Sequence, residues 1–176
     1  MKDMSNMVEK DTITFRKPRP EDGPAVNALV DRCKPLDTNS LYCNLLQCDH
    51  FRDTCVVAEM DGDVVGWVSG YLPPSENDTF FVWQVAVDVR ARGRGLGGRM
   101  LTHLMLRPES AGVTHLKTTI TQSNDASWAL FRGFANRKGA DLSDAPHFKK
   151  DEHLDGRAAT EHMVTIAFAE PLRKVA

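Results

Sequence analysis

The sequence lacks the features of a membrane protein, of a dedicated nucleic-acid binder and of a disulfide-stabilised protein. Its 176 residues contain no secretory signal pattern and no run of about 18 apolar residues, so a soluble, cytoplasmic protein is expected. A net charge of −2 and a pI near 6.3 argue against nucleic-acid binding, which usually requires a basic face. The four cysteines are irregularly spaced without a C-x-x-C pair, which predicts free thiols and no metal site.

The chain also lacks internal repeats, low-complexity stretches and linkers. Residues 1–176 are therefore expected to form a single domain, and a hydrophobic content of 41% is enough for one core. The polar residues 1–11 are expected to be a disordered tail.

The most informative segment that is present runs from Val85 to Leu101. It reads as a valine-rich strand, a glycine-rich turn with several arginines, and the first turn of a helix. Glycines allow the backbone to approach a ligand closely, and the amides at a helix N-terminus favour anions. The segment therefore predicts a site for the polyphosphate of a cofactor.

Three phosphate-binding patterns compete for this turn. Residues 93–98 satisfy G-x-G-x-x-G, but a dinucleotide site also needs an acidic residue after the next strand, and the strand predicted at 115–121 ends in threonines. A Walker A loop requires Gly-Lys-Ser/Thr, which is absent. The third pattern, R/Q-x-x-G-x-G, is met by Arg92, Gly95 and Gly97. An arginine-rich surface turn without a ligand stays open as the structural alternative.

Hydrophobic periodicity and capping residues predict the order of the elements along the chain. The prediction, in chain order, is a strand at 12–16, helices from 20 and from 41, hairpin strands at 54–60 and 64–71, a strand at 79–89, a helix at 96–106, a strand at 115–121, a helix capped by 123–125, a charged irregular stretch at 139–156 and a strand at 160–168.

Together, the phosphate turn and this element order resemble the GCN5-related N-acetyltransferases from Thr12 to Ala169. The resemblance implies an α/β (α+β) fold with a central mixed, mostly antiparallel, twisted sheet flanked by helices. It also implies acetyl-CoA as the co-substrate, no metal, and a homodimer. The stretch from Asn124 to Phe131 resembles the family's second cofactor segment, N-x-x-A-x-x-L-Y/F, in which Asn124 would reach the pantetheine. Asn124 could also be the cap of the following helix, and both roles can hold, since a cap residue lies beside the groove in that fold.

The resemblance implies a set of cofactor-binding residues. These are Val85, Ala86, Val87, Arg92, Gly93, Arg94, Gly95, Leu96, Gly97, Gly98, Asn124, Ser127, Trp128 and Phe131. Val85 and Val87 are expected to act through their backbone, where a bulge in the central strand exposes an amide to the thioester carbonyl. Phe131 stands where many family members have a tyrosine that protonates the leaving thiolate. The sulfur must therefore leave as a thiolate stabilised by amides, take a proton from elsewhere, or receive it from the amine itself.

Segments 33–46 and 81–87 resemble one branch of this family. Its members acetylate the γ-amine of the small diamino acid L-2,4-diaminobutyrate, a precursor of the osmolyte ectoine. The substrate-binding residues that this resemblance implies are Asp37, Tyr42, Trp83 and Glu161.

Three of these residues are the predicted catalytic residues. Asp37 or Glu161 would accept the proton of the amine, and Trp83 would pack on the substrate's methylenes or ammonium. Transfer is expected by direct attack in a ternary complex, because no cysteine shows a sequence feature that would activate it.

Alternatives stay open at the level of sequence. Asp37 could be a helix cap, Tyr42 and Trp83 could be packing residues, and Glu161 could be an ordinary surface carboxylate. For the function, the alternatives are acetylation of another small amine, such as a polyamine or an aminoglycoside, and a non-catalytic acyl-CoA-binding module.

Overall fold

The computed structural model describes residues 12–173, so the predicted disordered tail at 1–11 lies outside the described residues. Its helices and strands, in chain order, are β1 (Ile13–Arg16), α1 (Gly23–Arg32), α2 (Leu41–Asp49), β2 (Val56–Met60), β3 (Asp63–Tyr71), β4 (Thr79–Val87), α3 (Leu96–Met105), β5 (His115–Thr121), α4 (Asp125–Lys138), β6 (Asp141–Phe148) and β7 (Glu161–Ala167). Short 3-10 turns occupy Pro20–Asp22, Arg52–Thr54, Val89–Ala91 and Pro108–Ser110.

These strands form one seven-stranded sheet in the order β1-β2-β3-β4-β5-β7-β6. Every neighbouring pair is antiparallel except β4 and β5, which are parallel. The predicted architecture, a mixed and mostly antiparallel sheet with flanking helices, is therefore confirmed.

Helices α1, α3 and α4 cover the two faces of the sheet because each carries an apolar stripe. On α1 the buried residues Val26, Leu29 and Val30 recur at helical spacing and pack in one cluster with Trp67 of the sheet. The second cluster, on the other face, joins the apolar side of α3 to α4 and the sheet. The buried side chains at its centre include Met100, Leu101, Leu104, Phe134, Phe80, Leu116 and Ile166.

A bulge in β4 reverses the direction of its side chains. Ser69 of β3 pairs with Gln84, whereas the adjacent Gly70 pairs with Val82, so Trp83 is an extra residue. Because side chains alternate along a strand, one extra residue moves every later side chain to the opposite face. Val82 therefore packs with α3 and α4, while Ala86 packs with α1. The bulge expected in the central strand is present, and it presents Trp83 to solvent.

The parallel strands β4 and β5 pair over only a short length. Their register runs from Thr79 opposite His115 to Phe81 opposite Lys117. Beyond that point a cavity lies between the two strands, lined by Val82–Val85 from β4 and by Thr118–Thr121 from β5. The splayed strands open the middle of the sheet to ligands.

The prediction of an irregular stretch at 139–156 is wrong for its first half, which forms the edge strand β6. This strand pairs only with β7, and its residues are nearly all exposed. An edge strand with two solvated faces needs no apolar alternation and tolerates Pro146. The periodicity that identifies the other strands is absent here for that reason.

The glycine opposite the bulge offers a test of this packing. A Cβ added at Gly70 would lie 2.6 Å from the Phe81 carbonyl oxygen and would also overlap the Phe80 ring. We expect Gly70→Ala to lower the free energy of unfolding by about 1–3 kcal/mol, since backbone cannot yield as a flexible side chain can. In the matched control Gly112→Ala the new methyl meets nothing within 4 Å. Urea denaturation would measure both variants, and equal stabilities would contradict this account of the bulge.

Candidate active site

The glycine-rich turn between β4 and α3 has the geometry of a phosphate-binding loop. Gly93 and Gly95 have φ angles of +75° and +64°, a region that disfavours side chains, and Gly95 is the N-cap of α3. The first amides of α3 have no partner within the helix and carry its positive dipole end. Gly97 has a different role, because a Cβ there would lie only 3.0 Å from the Leu130 side chain of α4. It allows the two helices to pack closely.

A cavity of about 470 Å³ lies against this turn, and we call it the cofactor cavity. Its lining includes most of the predicted cofactor residues, namely Val85, Val87, Arg92, Gly93, Gly95, Leu96, Gly97, Gly98, Asn124 and Ser127. Other predicted cofactor residues lie elsewhere. Ala86 is buried on the opposite face of β4, Arg94 is exposed outside the lining, and Trp128 is buried with its indole N–H donating to the Thr121 carbonyl at 3.1 Å.

Asn124 both caps α4 and faces the cavity. Its side-chain oxygen accepts a hydrogen bond from the Ser127 amide at 3.1 Å, which satisfies one of the first amides of the helix. The two interpretations of this residue from sequence are therefore compatible.

A second cavity, also of about 470 Å³, adjoins the first between the splayed strands, and we call it the acceptor cavity. Both cavities are lined by Pro35, Leu36, Val85, Asn124 and Ser127. A ligand in one can therefore meet a ligand in the other beside the bulge of β4.

The acceptor cavity brings together three of the four predicted substrate residues: Asp37, Trp83 and Glu161. Phe131, predicted to contact the cofactor, also lines this cavity. Tyr42 does not line it, since it lies in the first turn of α2 with 69% of its surface exposed. Asp37 is not the cap of the following helix. The N-cap of α2 is Ser40, whose hydroxyl accepts a hydrogen bond from the Cys43 amide.

The acceptor cavity contains two carboxylates, those of Asp37 and Glu161. Partial burial raises the pKa of Glu161 above its ordinary value, and the negative charge of Asp37 raises it further. A hydrogen bond with Thr119 and the proximity of His162 act in the opposite direction. A carboxylate with a raised pKa is a stronger base once it is ionised, and two nearby carboxylates attract cations. The acceptor cavity is therefore suited to a cationic amine.

Gln84 is a functional candidate that sequence analysis missed. Its buried side-chain amide donates to the Asp37 carbonyl at 2.7 Å and accepts from the Asn39 side chain at 3.1 Å. From α1, Asn27 donates to the Asn39 carbonyl at 2.8 Å. These bonds fix the segment that carries Asp37 against the central strand. The signal in the sequence is an amide within a run of apolar strand residues, because buried polar groups are almost always hydrogen-bonded.

We expect Gln84→Ala to impair acceptor binding through Asp37. Loss of two buried hydrogen bonds frees the loop, so KM for the amine should rise about tenfold while KM for the acyl donor changes little. Gln84→Glu keeps the oxygen that accepts from Asn39 but turns a buried carboxylate oxygen toward the Asp37 carbonyl, so it should impair acceptor binding at least as much. Initial-rate kinetics with both substrates varied would check this, and an equal rise in both KM values would contradict a positioning role.

The cysteines are free thiols, as predicted. Burial raises the pKa of Cys48 and of Cys55 to about 12, so neither is a thiolate near neutral pH. Cys33 lines the cofactor cavity, and its thiol donates to the Val87 carbonyl at 3.4 Å. Burial therefore leaves Cys48 and Cys55 without activation as nucleophiles.

Two other kinds of site are not found in the described chain. Between residues 12 and 173, no group of three or more histidine, cysteine, aspartate or glutamate side chains is arranged to hold a metal ion. Over the same range, no helix combines the length and the apolar character needed to cross a bilayer.

A glycine-rich turn with the geometry of a phosphate-binding loop, a splayed central sheet and two adjoining cavities together suit a protein of the acyl-transfer class. The family model described as Acetyltransferase (GNAT) family matches residues 24–134, and the chain belongs to that family. Within it, the chain is 46% identical over 154 residues to the L-2,4-diaminobutyric acid acetyltransferase of Methylotuvimicrobium alcaliphilum, covering 88% of this chain and 90% of that one. It is 47% identical over 159 residues to the protein of the same name from Halomonas elongata, covering 90% and 82% of the two chains.

A solved structure shows the same similarity. The diaminobutyrate acetyltransferase EctA from Paenibacillus lautus, in complex with its substrate L-2,4-diaminobutyric acid and coenzyme A, matches with a TM-score of 0.85. It is 35% identical and covers 94% of this chain and 99% of that chain. These similarities confirm the resemblance noted from the sequence.

Proposed function

We propose that this protein transfers the acetyl group of acetyl-CoA to the γ-amine of L-2,4-diaminobutyrate by direct attack in a ternary complex. The product would be Nγ-acetyl-diaminobutyrate, used in ectoine biosynthesis. The observation that carries the proposal is the pair of adjoining cavities, one against a phosphate-binding turn and one containing two carboxylates. The diaminobutyrate acetyltransferases to which the chain is related support the choice of substrate.

On the donor side, the protein supplies backbone rather than charged catalytic groups. The amides of residues 93–98 at the start of α3 would hold the pyrophosphate, and Asn124 and Ser127 would border the pantetheine. The backbone of Val85 and Val87, next to the bulge, would present an amide to the thioester carbonyl, where negative charge develops during transfer.

On the acceptor side, the protein must remove a proton from the amine. An alkylammonium has a pKa of about 10 and is almost fully charged at neutral pH. Glu161 is the proposed base, directly or through a water, because its raised pKa suits proton acceptance. Asp37 adds negative charge that favours the cationic substrate, and Trp83 offers its exposed ring to the methylenes or the ammonium. A contribution of Tyr42 to substrate binding stays a prediction.

The proposal includes a homodimer located in the cytoplasm. Large apolar side chains are exposed on α2 and close to it in the chain, namely Leu41, Tyr42 and Phe51, which suits burial in an interface. Light scattering on the purified protein should give twice the chain mass of 19.6 kDa. The cytoplasmic location follows from the use of acetyl-CoA, and cell fractionation would test it.

Thiol release from acetyl-CoA tests the proposed reaction. Diaminobutyrate, ornithine, lysine and spermidine would be compared side by side, and diaminobutyrate should have the highest kcat/KM. Preference for spermidine would contradict the substrate while leaving acetyl transfer intact. Binding of acetyl-CoA without turnover of any of these amines would contradict the enzymatic reaction and favour a non-catalytic module.

A further inference from the structure

We propose that another cavity, between α2 and the bulged strands β3 and β4, binds a small uncharged molecule that presents a hydrogen-bond acceptor to Gln47, and that this molecule strengthens binding of the amine substrate. We call it the side cavity. Among the described residues, it has no lining residue in common with the cofactor cavity and only Trp83 in common with the acceptor cavity. The existence of the site is independent of the proposed function, whereas its effect on the amine rests on that function.

The side cavity has a volume of about 420 Å³ and largely apolar walls. Phe51 of the chain after α2, Tyr71 and Leu72 at the end of β3, and Trp83 of β4 contribute these walls. A cavity of this size holds a small organic molecule. None of the described residues that line it carries a charge, so a charged group would lose its hydration there without compensation. The expected occupant is therefore uncharged and partly apolar.

Two polar side chains that line the side cavity are buried without a hydrogen-bond partner. Gln47 and Ser69 are only 2% and 1% exposed. Within residues 12–173, neither Nε2 of Gln47 nor Oγ of Ser69 has a partner. Buried polar groups are almost always hydrogen-bonded, and the cavity is much larger than one water molecule needs. The two unpaired groups therefore mark the place for the polar atoms of a ligand.

A network of side-chain amides behind Gln47 determines which of its atoms lacks a partner. Asn27 donates through Nδ2 to the Asn39 carbonyl at 2.8 Å and to Oδ1 of Asn44 at 2.9 Å. A backbone carbonyl can only accept, so it fixes the orientation of Asn27 and, in turn, that of Asn44. Asn44 then donates to Oε1 of Gln47 at 3.0 Å, which leaves the NH₂ group of Gln47 unpaired within the described chain. The missing partner is therefore an acceptor, such as an amide carbonyl oxygen.

The same network connects the side cavity to the acceptor cavity. The side chain of Asn39 donates to Gln84 at 3.1 Å, and Gln84 donates to the Asp37 carbonyl at 2.7 Å. Trp83 lines both cavities, and about half of its surface is exposed. A molecule that bonds to Gln47 and packs on Trp83 holds the ring and the loop with Asp37 in place before the amine binds. Each ligand should therefore strengthen binding of the other by the same factor.

Benzamide and toluene are matched probes of the side cavity, since both have one small ring and only benzamide has a carbonyl acceptor. Ligand-observed NMR titrations of the purified, full-length protein would measure both dissociation constants. A ¹⁵N–¹H spectrum provides a direct readout at Gln47. The side-chain amide signal that is absent in Gln47→Met belongs to this residue, and it should shift on addition of benzamide and not of toluene.

Two variants test the polar groups of the cavity. Ser69→Ala and Gln47→Met should each raise the dissociation constant of benzamide about fivefold relative to that of toluene, because one hydrogen bond to the ligand is lost. In the control Ser143→Ala, an exposed serine of β6, this ratio should not change. Gln47→Met also deprives Asn44 of its acceptor, so it can destabilise the fold. Ser69→Ala removes only an unpaired hydroxyl, and its urea midpoint should not fall.

Initial-rate kinetics test the effect on the acceptor cavity. Saturating benzamide should lower KM for diaminobutyrate about fivefold and leave KM for acetyl-CoA unchanged. This effect should be much weaker at the same benzamide concentration in Ser69→Ala. Binding of benzamide to the side cavity with no change in KM for diaminobutyrate would contradict the coupling between the two cavities.

The site itself is tested without turnover. A ratio of dissociation constants that stays the same in both Ser69→Ala and Gln47→Met would overturn the inference. A crystal structure grown with benzamide would overturn it as well if the side cavity held only water or a side chain from a second copy of the chain. Benzamide bound there in a protein that acetylates no amine would contradict the proposed function and leave the site intact.

Discussion

Replacing Glu161 with glutamine should lower kcat/KM for diaminobutyrate by about 100- to 10,000-fold at neutral pH, the range typical of a lost general base. Glutamine has nearly the same shape but cannot accept a proton from the ammonium. KM for acetyl-CoA should hardly change, since Glu161 lines the acceptor cavity and not the cofactor cavity. Thiol-release kinetics on the variant and on the exposed control Glu170→Gln would measure the effect.

The dependence of activity on pH provides a second test of Glu161 as the base. Glu161 must be ionised to act as a base, so activity should fall as the pH decreases through its pKa. Because burial and Asp37 raise that pKa, the fall should occur above the range of an ordinary glutamate. In Glu161→Gln this acidic decrease should be absent from the remaining activity. A variant that keeps full kcat/KM and an unchanged acidic decrease would show that Glu161 is not the base.

Replacing Asp37 with asparagine should raise KM for diaminobutyrate by about tenfold or more, since a carboxylate that attracts the cationic substrate is lost. The same change should move the acidic decrease of activity to lower pH. The charge of Asp37 raises the pKa of Glu161, so its removal must lower that pKa. Profiles of kcat/KM against pH for the variant and for the exposed control Asp49→Asn would measure both effects.

The two carboxylate variants together separate the two possible bases. If the acidic decrease vanishes in Asp37→Asn and persists in Glu161→Gln, then Asp37 is the base and the assignment made here is wrong. If it shifts in Asp37→Asn and vanishes in Glu161→Gln, the assignment holds.

Sequence patterns predicted most of the sheet and the conformation of the glycine-rich turn because both depend on local rules. Strands such as β5 and β7 alternate between buried and half-buried residues, and the glycines at 93 and 95 mark positive φ angles that other residues disfavour. The edge strand β6 has no such pattern, because nearly all of its residues are exposed to solvent.

The site was harder to predict because it depends on side-chain direction across distant elements. The bulge at Trp83 determines which side chains of β4 face α1 and which face α3 and α4. Its position depends on the register in which β4 pairs with β3. Gln84 could not be recognised as an anchor until its partners Asp37 and Asn39 were brought to it by the fold. Tyr42, named from resemblance, lies on the exposed side of α2, and nothing local to its sequence distinguishes that side from the cavity.

The identity of the acetylated product tests the central claim most directly. The purified protein would be incubated with acetyl-CoA and L-2,4-diaminobutyrate, CoA release would be quantified, and the product would be examined by NMR. We predict one acetyl group per CoA released, attached to the γ-nitrogen. An acetyl group on the α-nitrogen, or CoA release without an acetylated diamino acid, would contradict the account.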